Sequence, residues 1–189
     1  MTTQMSYEAF VLTSLLILLT PGPTNTLLAA SGAAMGVRKA LWLALAEALG
    51  YSIAISLFVA AAGALEDVPI ALPLLKAVAA GWLLFSAVQL WTRPATPDRA
   101  DQRGAFSRVC VTTMLNPKAM LVGTVIIPDV TIGQAQAVLT FVVLSSVAGA
   151  GWIVSGAALP AGLRRYSFKS AAVIIAAFSF AAAASAVQG

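Results

Sequence analysis

Residues 15–36 read LLILLTPGPTNTLLAASGAAMG, an uncharged stretch with Pro-Gly-Pro near its middle. A membrane-spanning helix needs about 20 apolar residues in a row, and this stretch is long enough. We predict a break in the helix here, because Pro21 and Pro23 lack a backbone N–H and Gly22 adds conformational freedom. A broken helix with polar residues at the break is the best sequence indication of a transport site. A kink made for packing is the alternative interpretation.

The composition excludes several classes of protein. Of the 189 residues, 60% are hydrophobic and 10% are charged, whereas a soluble domain carries about 25% charged residues. This indicates an integral membrane protein. Cys110 is the only cysteine and histidine is absent, so an intrachain disulfide, a His or Cys metal cluster and Ser-His-Asp catalysis are excluded. The net charge of +4 does not indicate nucleic-acid binding, because the basic residues lie in short clusters between apolar runs.

Six apolar spans predict an all-α integral membrane fold. They cover about residues 8–35, 40–64, 72–91, 106–127, 134–159 and 170–187. Nine of the eleven Lys and Arg residues fall after the first, third and fifth spans, whereas the turns after the second and fourth carry only Glu66, Asp67 and Asp129. Lys and Arg concentrate on the cytoplasmic side, so we predict that both termini face outward. The four tryptophans lie mostly near span ends and are predicted to be interfacial, whereas the deeper Trp82 has the alternative of lining a pathway.

The two halves of the chain share one plan within a single membrane domain. Residues 1–92 form a first three-helix repeat, 93–108 a cytoplasmic basic linker and 109–189 a second three-helix repeat. Each repeat opens with a span that proline interrupts, at Pro21-Gly22-Pro23 and at Asn116-Pro117-Lys118. Because each repeat has an odd number of spans, the second repeat enters the membrane from the side opposite to the first. We therefore predict a 3+3 inverted-topology repeat. The site is then expected where interrupted helices 1 and 4 meet near the midplane.

Glu47 and Lys118 are the charged residues that lie well inside spans. A charge at the bilayer centre costs about 2.5–3.5 kcal/mol on insertion scales, so both should face the bundle interior and find partners. Glu47 is the candidate for proton coupling or for binding a substrate ammonium. Lys118 is the candidate for binding a substrate carboxylate or for neutralising Glu47. The structural alternatives are a pair between the two, a Glu47 carboxylate that reaches the headgroups, and a snorkelling Lys118.

Residues at the breaks complete the candidate binding site. Backbone N–H groups after Pro23 favour an anion and the carbonyls before each break favour a cation, so a zwitterionic amino acid matches both. Thr24 and Asn25 are candidate contacts, although capping of their own helix is the alternative for each. The predicted substrate-binding residues are Pro21, Gly22, Pro23, Thr24, Asn25, Asn116, Pro117 and Lys118.

These motifs together carry a family resemblance. Pro21-Gly22-Pro23, Gly36 with a basic turn after it, and Leu115-Asn116-Pro117-Lys118-Ala119 resemble the lysine exporter superfamily, the LysE/RhtB-type amino-acid exporters. The resemblance covers essentially the whole chain. It implies efflux of amino acids or their derivatives across a bacterial inner membrane, driven by the proton gradient and often by a dimer. Glu47 stands one turn before the position where the family tends to have an acid, which leaves the substrate open.

We therefore expect a secondary active exporter of amino acids or related small zwitterions, working by proton antiport and alternating access. No enzyme activity, cofactor, metal site or nucleic-acid partner is expected, and the oligomeric state stays open. Export of a divalent cation is one alternative, although one intramembrane acid, no His and one Cys argue against a good metal site. A membrane scaffold or assembly factor without transport activity is the other.

Overall fold

A computed structural model describes residues 4–68, 70–92, 99–164 and 166–187, and within these ranges the chain is almost entirely helical, without a strand. The helices are α1 (Tyr7–Leu19), α2 (Pro23–Met35), α3 (Val37–Ala40), α4 (Leu43–Asp67), α5 (Ala71–Trp91), α6 (Arg99–Met114), α7 (Pro117–Leu121), α8 (Gln134–Ala157), α9 (Ala161–Arg164) and α10 (Ser167–Val187). A π-helical turn, Val122–Ile126, and a 3-10 turn, Ile127–Asp129, continue α7. An isolated bridge joins Met5 to Val130.

Both proline motifs interrupt a helix, as predicted. The axes of α1 and α2 differ by 58° across the first break, and those of the two parts of the fourth span differ by 41°. Pro23 and Pro117 each begin the second part, where the missing N–H costs no intrahelical hydrogen bond. Within the described ranges four unbroken helices are also long and apolar enough to cross a membrane, which gives six spans when each bent pair crosses once.

Two polar stretches are more helical than the sequence indicated. α6 begins at Arg99, inside the predicted linker 93–108, and Arg108 is buried and donates a hydrogen bond to Gln89. Residues 93–98 of that linker lie outside the described residues. The predicted basic turn at Arg38 and Lys39 is the short helix α3. Arg and Lys are good helix formers, so polarity alone did not reveal that both stretches extend a neighbouring span.

The broken span of each half packs against a helix of the other half. α2 packs along α8, and α6 packs along α4, so each broken span lies against the middle span of the other half. The two middle spans, α4 and α8, also contact each other, and the last spans, α5 and α10, form an extensive pair.

Two apolar clusters fill the interior, one on each side of the breaks. The first joins α2 and the start of α4 to α8 and α10, through residues such as Leu28, Leu43 and Ile153. The second joins α1 and the middle of α4 to the end of the fourth span and the start of α8. The level of the breaks therefore lies between two closely packed regions.

Glycines bring α2 and α8 into backbone contact. A Cβ atom at Gly32 would overlap the carbonyl group of Ile153, and one at Gly156 would overlap that of Ala29. Helices in lipid associate through such close packing of small residues rather than through a hydrophobic drive. The α2–α8 contact is therefore a close backbone interface between the two halves of the chain.

Replacing Gly156 by alanine should destabilise the protein, because the overlapping carbonyl belongs to the backbone and has no rotamer with which to move away. Overpacking of this kind costs about 1–3 kcal/mol of unfolding free energy. Gly151 is the matched control on the same helix, since a Cβ atom there meets nothing within 4 Å. Gly151→Ala should leave stability unchanged or raise it by up to about 1 kcal/mol through helix propensity. Equal thermal unfolding midpoints of the two variants in detergent would contradict the contact.

Candidate functional site

The break in the first span lies directly against the break in the fourth span. The side-chain amide of Asn116 donates a hydrogen bond to Thr24 Oγ1 at 3.0 Å, and the hydroxyl of Thr113 lies 3.2 Å from the same oxygen. All three side chains are buried. Polar side chains from two distant parts of the sequence therefore join the two interruptions.

Side chains cover the carbonyl groups that the first break exposes at the end of α1. The ammonium of Lys118 donates hydrogen bonds to the carbonyl oxygens of Ile17 (2.7 Å) and Thr20 (2.5 Å). The amide of Asn25 donates to those of Leu18 (2.8 Å) and Thr20 (2.9 Å). The last carbonyls of any helix lack intrahelical partners, and lipid offers none. Lys118 of the fourth span is thus a structural partner of the first span.

The indole of Trp152 adds a further donor, at 3.2 Å from the carbonyl oxygen of Leu18. Its N–H serves the break, a role that was not predicted from the sequence for this tryptophan. Nothing in its sequence position distinguishes it, since the carbonyl that it contacts lies 134 residues away.

Capping differs between the two restarted helices. Asn116 Oδ1 accepts a hydrogen bond from the backbone N–H of Lys118 at 3.0 Å, which caps α7. The N-cap of α2 is Gly22, without a side-chain capping bond, so Thr24 and Asn25 do not cap their own helix. A Cβ atom at Gly22 would lie 3.1 Å from Lys118 Cε and 3.2 Å from its Nζ. Glycine here gives the lysine side chain room to cross the break.

Glu47 is fully buried, and neither of its carboxylate oxygens has a hydrogen-bond partner among the described residues. The carboxylate lies against α8 at Gly149, where a Cβ atom would overlap Oε2. Lys118 lies within electrostatic range but makes its hydrogen bonds to carbonyl groups instead. The direct pair between Glu47 and Lys118, one of the structural alternatives, is therefore not formed. One turn further along α4, the Tyr51 hydroxyl is also buried without a partner among those residues.

A cleft of about 280 Å³ opens at the junction of the breaks. Its lining is Gly22, Pro23, Asn116, Pro117, Lys118, Phe178, Ala181 and Ala182. Its volume is close to the lower end of the range for small-molecule sites, about 300–1,000 Å³. A neighbouring cavity shares Asn116 and Pro117 and extends to Phe58 and Lys76. Glu47 is not part of either lining.

The chain matches a family model described as LysE type translocator over residues 15–185. The protein belongs to the LysE type translocator family. The resemblance drawn from the two proline motifs is thereby confirmed, as is an all-helical integral membrane fold. No curated protein and no solved structure matches the chain. The family is one of transporters, which agrees with the expectation that the chain is not an enzyme.

The translocator brings most of the predicted site residues to one place. Five of the eight line the cleft, Thr24 joins the two breaks through Asn116, and Asn25 bridges the first break. Pro21 lies apart and lines a separate groove with Trp152. Sequence reasoning missed Thr113 and Phe178, because a threonine and a phenylalanine inside apolar spans are ordinary packing residues until their neighbours are known.

Replacing Thr24 by valine in the translocator should lower stability, because the shape is kept while the buried amide of Asn116 loses its acceptor. Leaving such a group unpaired costs about 1–3 kcal/mol of unfolding free energy. Thr26→Val is the control, since Thr26 lies two residues further along α2 and is only half-buried. A double-mutant cycle with Asn116→Ala, followed by thermal unfolding, should show strong non-additivity. Additive effects would show that the contact does not join the breaks.

Proposed function

We propose that this translocator exports small neutral amino acids, or related small zwitterions, by proton antiport through alternating access. The observation that carries the proposal is the position of Lys118 in the cleft, with its ammonium on the carbonyl end of α1. A cationic side chain and a set of partly negative carbonyl oxygens thus lie together at one break.

The chemistry of the cleft suits a zwitterion without a charged side chain. Lys118 offers a cation for a carboxylate, and the end of α1 offers carbonyl oxygens for an ammonium. The rest of the lining is mostly apolar, from Phe178, Ala181 and Ala182 of α10 and the two prolines. A substrate with a small apolar side chain therefore fits better than one with a charged side chain, because that charge would have to be buried there without a partner.

Glu47 is the residue to which we assign the proton. Ionisable groups inside membrane proteins commonly belong to ion or proton pathways. A buried carboxylate without a hydrogen-bond donor is costly as an anion, so its charge should change with the state of the transporter. Lys118 lies within electrostatic range of it, and movement of that ammonium would change the cost of ionising Glu47.

The packing of the helices supports an inverted repeat. Each broken span packs on the middle span of the other half, and the middle and last spans each pair with their counterparts. Glycine contributes to both cross-contacts, because a Cβ atom at Gly50 would lie 2.7 Å from the carbonyl oxygen of Cys110 on α6. Two related halves around a midplane break are the arrangement with which rocking transporters alternate access.

Backbone contacts support six crossings with both termini outside. Met5 N–H donates to the carbonyl oxygen of Asp129 (2.8 Å), and Thr131 N–H donates to that of Met5 (3.0 Å). The start of the first span and the end of the fourth therefore lie on the same face, which requires that both broken pairs cross or that neither does. The basic clusters share one side of the membrane only if both broken pairs cross. Lys and Arg concentrate on the cytoplasmic side, so we assign this side to the cytoplasm of a bacterium.

Cysteine labelling should decide between the two topologies. In a Cys110→Ser background, Lys39→Cys should react with a membrane-impermeant maleimide from the cytoplasmic side, and Thr131→Cys from the outer side. Both positions are exposed. Labelling of both from the same side would mean that the broken pairs are re-entrant loops.

Uptake into inverted membrane vesicles tests the proposed transport. A proton gradient should drive accumulation of a small neutral amino acid such as alanine, and Glu47→Gln should abolish accumulation while exchange of labelled for unlabelled amino acid continues. The physical reason is that glutamine stays neutral and cannot carry the proton. Glu8→Gln is the control, because Glu8 is exposed in the first turn of α1. An unaltered response of Glu47→Gln would remove the proton role.

The same vesicles distinguish the two alternatives. Among the described residues no three His, Cys, Asp or Glu side chains come together as metal ligands, which weighs against a divalent-cation exporter. Metal flux without amino-acid flux would favour that exporter over the present proposal. A scaffold or assembly factor would show no flux, and its cellular phenotype would survive Glu47→Gln.

A further inference from the structure

We propose that the carbonyl end of α1 is an ammonium-binding site that Lys118 occupies in the absence of substrate, and that the ammonium of the substrate displaces it. This inference rests on the proposed function and adds how the substrate is recognised. The released Lys118 then binds the carboxylate of the same substrate molecule.

The site is built for an ammonium group. Lys118 Nζ contacts the carbonyl oxygens of Ile17 and Thr20 at 2.7 and 2.5 Å, and an ammonium carries three N–H donors for such acceptors. The end of a helix adds a negative partial charge, of about half an elementary charge. An α-ammonium group on a substrate presents the same donors and the same charge, so it can replace the lysine without changing the chemistry of the site.

The carbonyl oxygens keep their positions when Lys118 leaves. Asn25 holds those of Leu18 and Thr20, and Trp152 also donates to Leu18. The amide of Asn25 has two N–H donors and both are engaged by these oxygens, so it cannot take over the contact with Ile17. The carbonyl oxygens are therefore preorganised, and that of Ile17 lacks its side-chain donor once the lysine is displaced.

The position of Lys118 allows exchange. Its side chain lines the cleft and is half-buried, and its contact with Thr20 lies at an exposed edge of the break. Gly22 has no side chain to hold the lysine stem in place. The four-carbon stem of lysine is flexible, so the ammonium can swing within the cleft while the backbone stays fixed.

The exchange explains a requirement for both charges of the substrate. A simple amine could displace Lys118 but would leave the lysine ammonium without a partner beside apolar residues, which is costly. A simple carboxylate could not compete for the carbonyl oxygens at all. In transport assays, N-acetylalanine and ethylamine should therefore each compete far less well than alanine.

Chemical complementation of Lys118→Ala tests the site directly. The variant should unfold several degrees below the wild type in detergent, and n-propylammonium, which restores the excised atoms, should raise the midpoint in a saturable manner. Sodium chloride at equal ionic strength should not. Lys39→Ala, at an exposed position, and the wild type should show no response to n-propylammonium. Equal responses in all three proteins, or none in Lys118→Ala, would overturn the proposal.

A second variant covers the case in which Lys118→Ala does not fold. Lys118→Met keeps an apolar stem of the same length and removes only the terminal ammonium group, so ammonium chloride should then give the saturable rise. The experiments distinguish failure of the ammonium site from failure of the proposed transport function. Complementation without amino-acid flux in vesicles would leave the ammonium site and remove the proposed function, whereas flux without complementation would do the reverse.

Discussion

A helix that breaks inside a membrane exposes backbone carbonyl and N–H groups for which lipid offers no partner. In this translocator the carbonyl groups at the end of α1 need hydrogen-bond donors. Side chains from three different spans supply them: Asn25, Lys118 and Trp152. Since each donor comes from a different helix, satisfying one break fixes how the first, fourth and fifth spans lie together. The arrangement of the core follows from this local need.

The groups that satisfy the break are also the groups to which we assign substrate binding. The carbonyl oxygens at the end of α1 accept hydrogen bonds from the Lys118 ammonium, and Lys118 also lines an open cleft. Glycine at position 22 makes the pair accessible because it leaves room for the lysine stem. In the proposed mechanism, the atoms that satisfy the break are therefore the same atoms that recognise the ligand.

The two charges within the membrane have different surroundings. Lys118 lines the cleft and is held by carbonyl oxygens, whereas Glu47 is not part of the lining and lies against Gly149, without a hydrogen-bond donor among the described residues. A direct pair between them would have removed both from further chemistry. In our proposal, their separation leaves Lys118 for the substrate and Glu47 for the proton, with Lys118 within electrostatic range of Glu47.

The sequence by itself determined the class of protein, the approximate spans, the two breaks and the charges inside the membrane. These features are local, because apolar length and the missing N–H of Pro21, Pro23 and Pro117 act wherever the helix lies. Only the tertiary structure decided which donor meets which carbonyl, that Lys118 contacts α1 rather than Glu47, and that Trp152 serves the break. The contacts of Lys118 and Trp152 join residues about 100 or more positions apart, and these side chains look the same in sequence whether they pack, cap or bind.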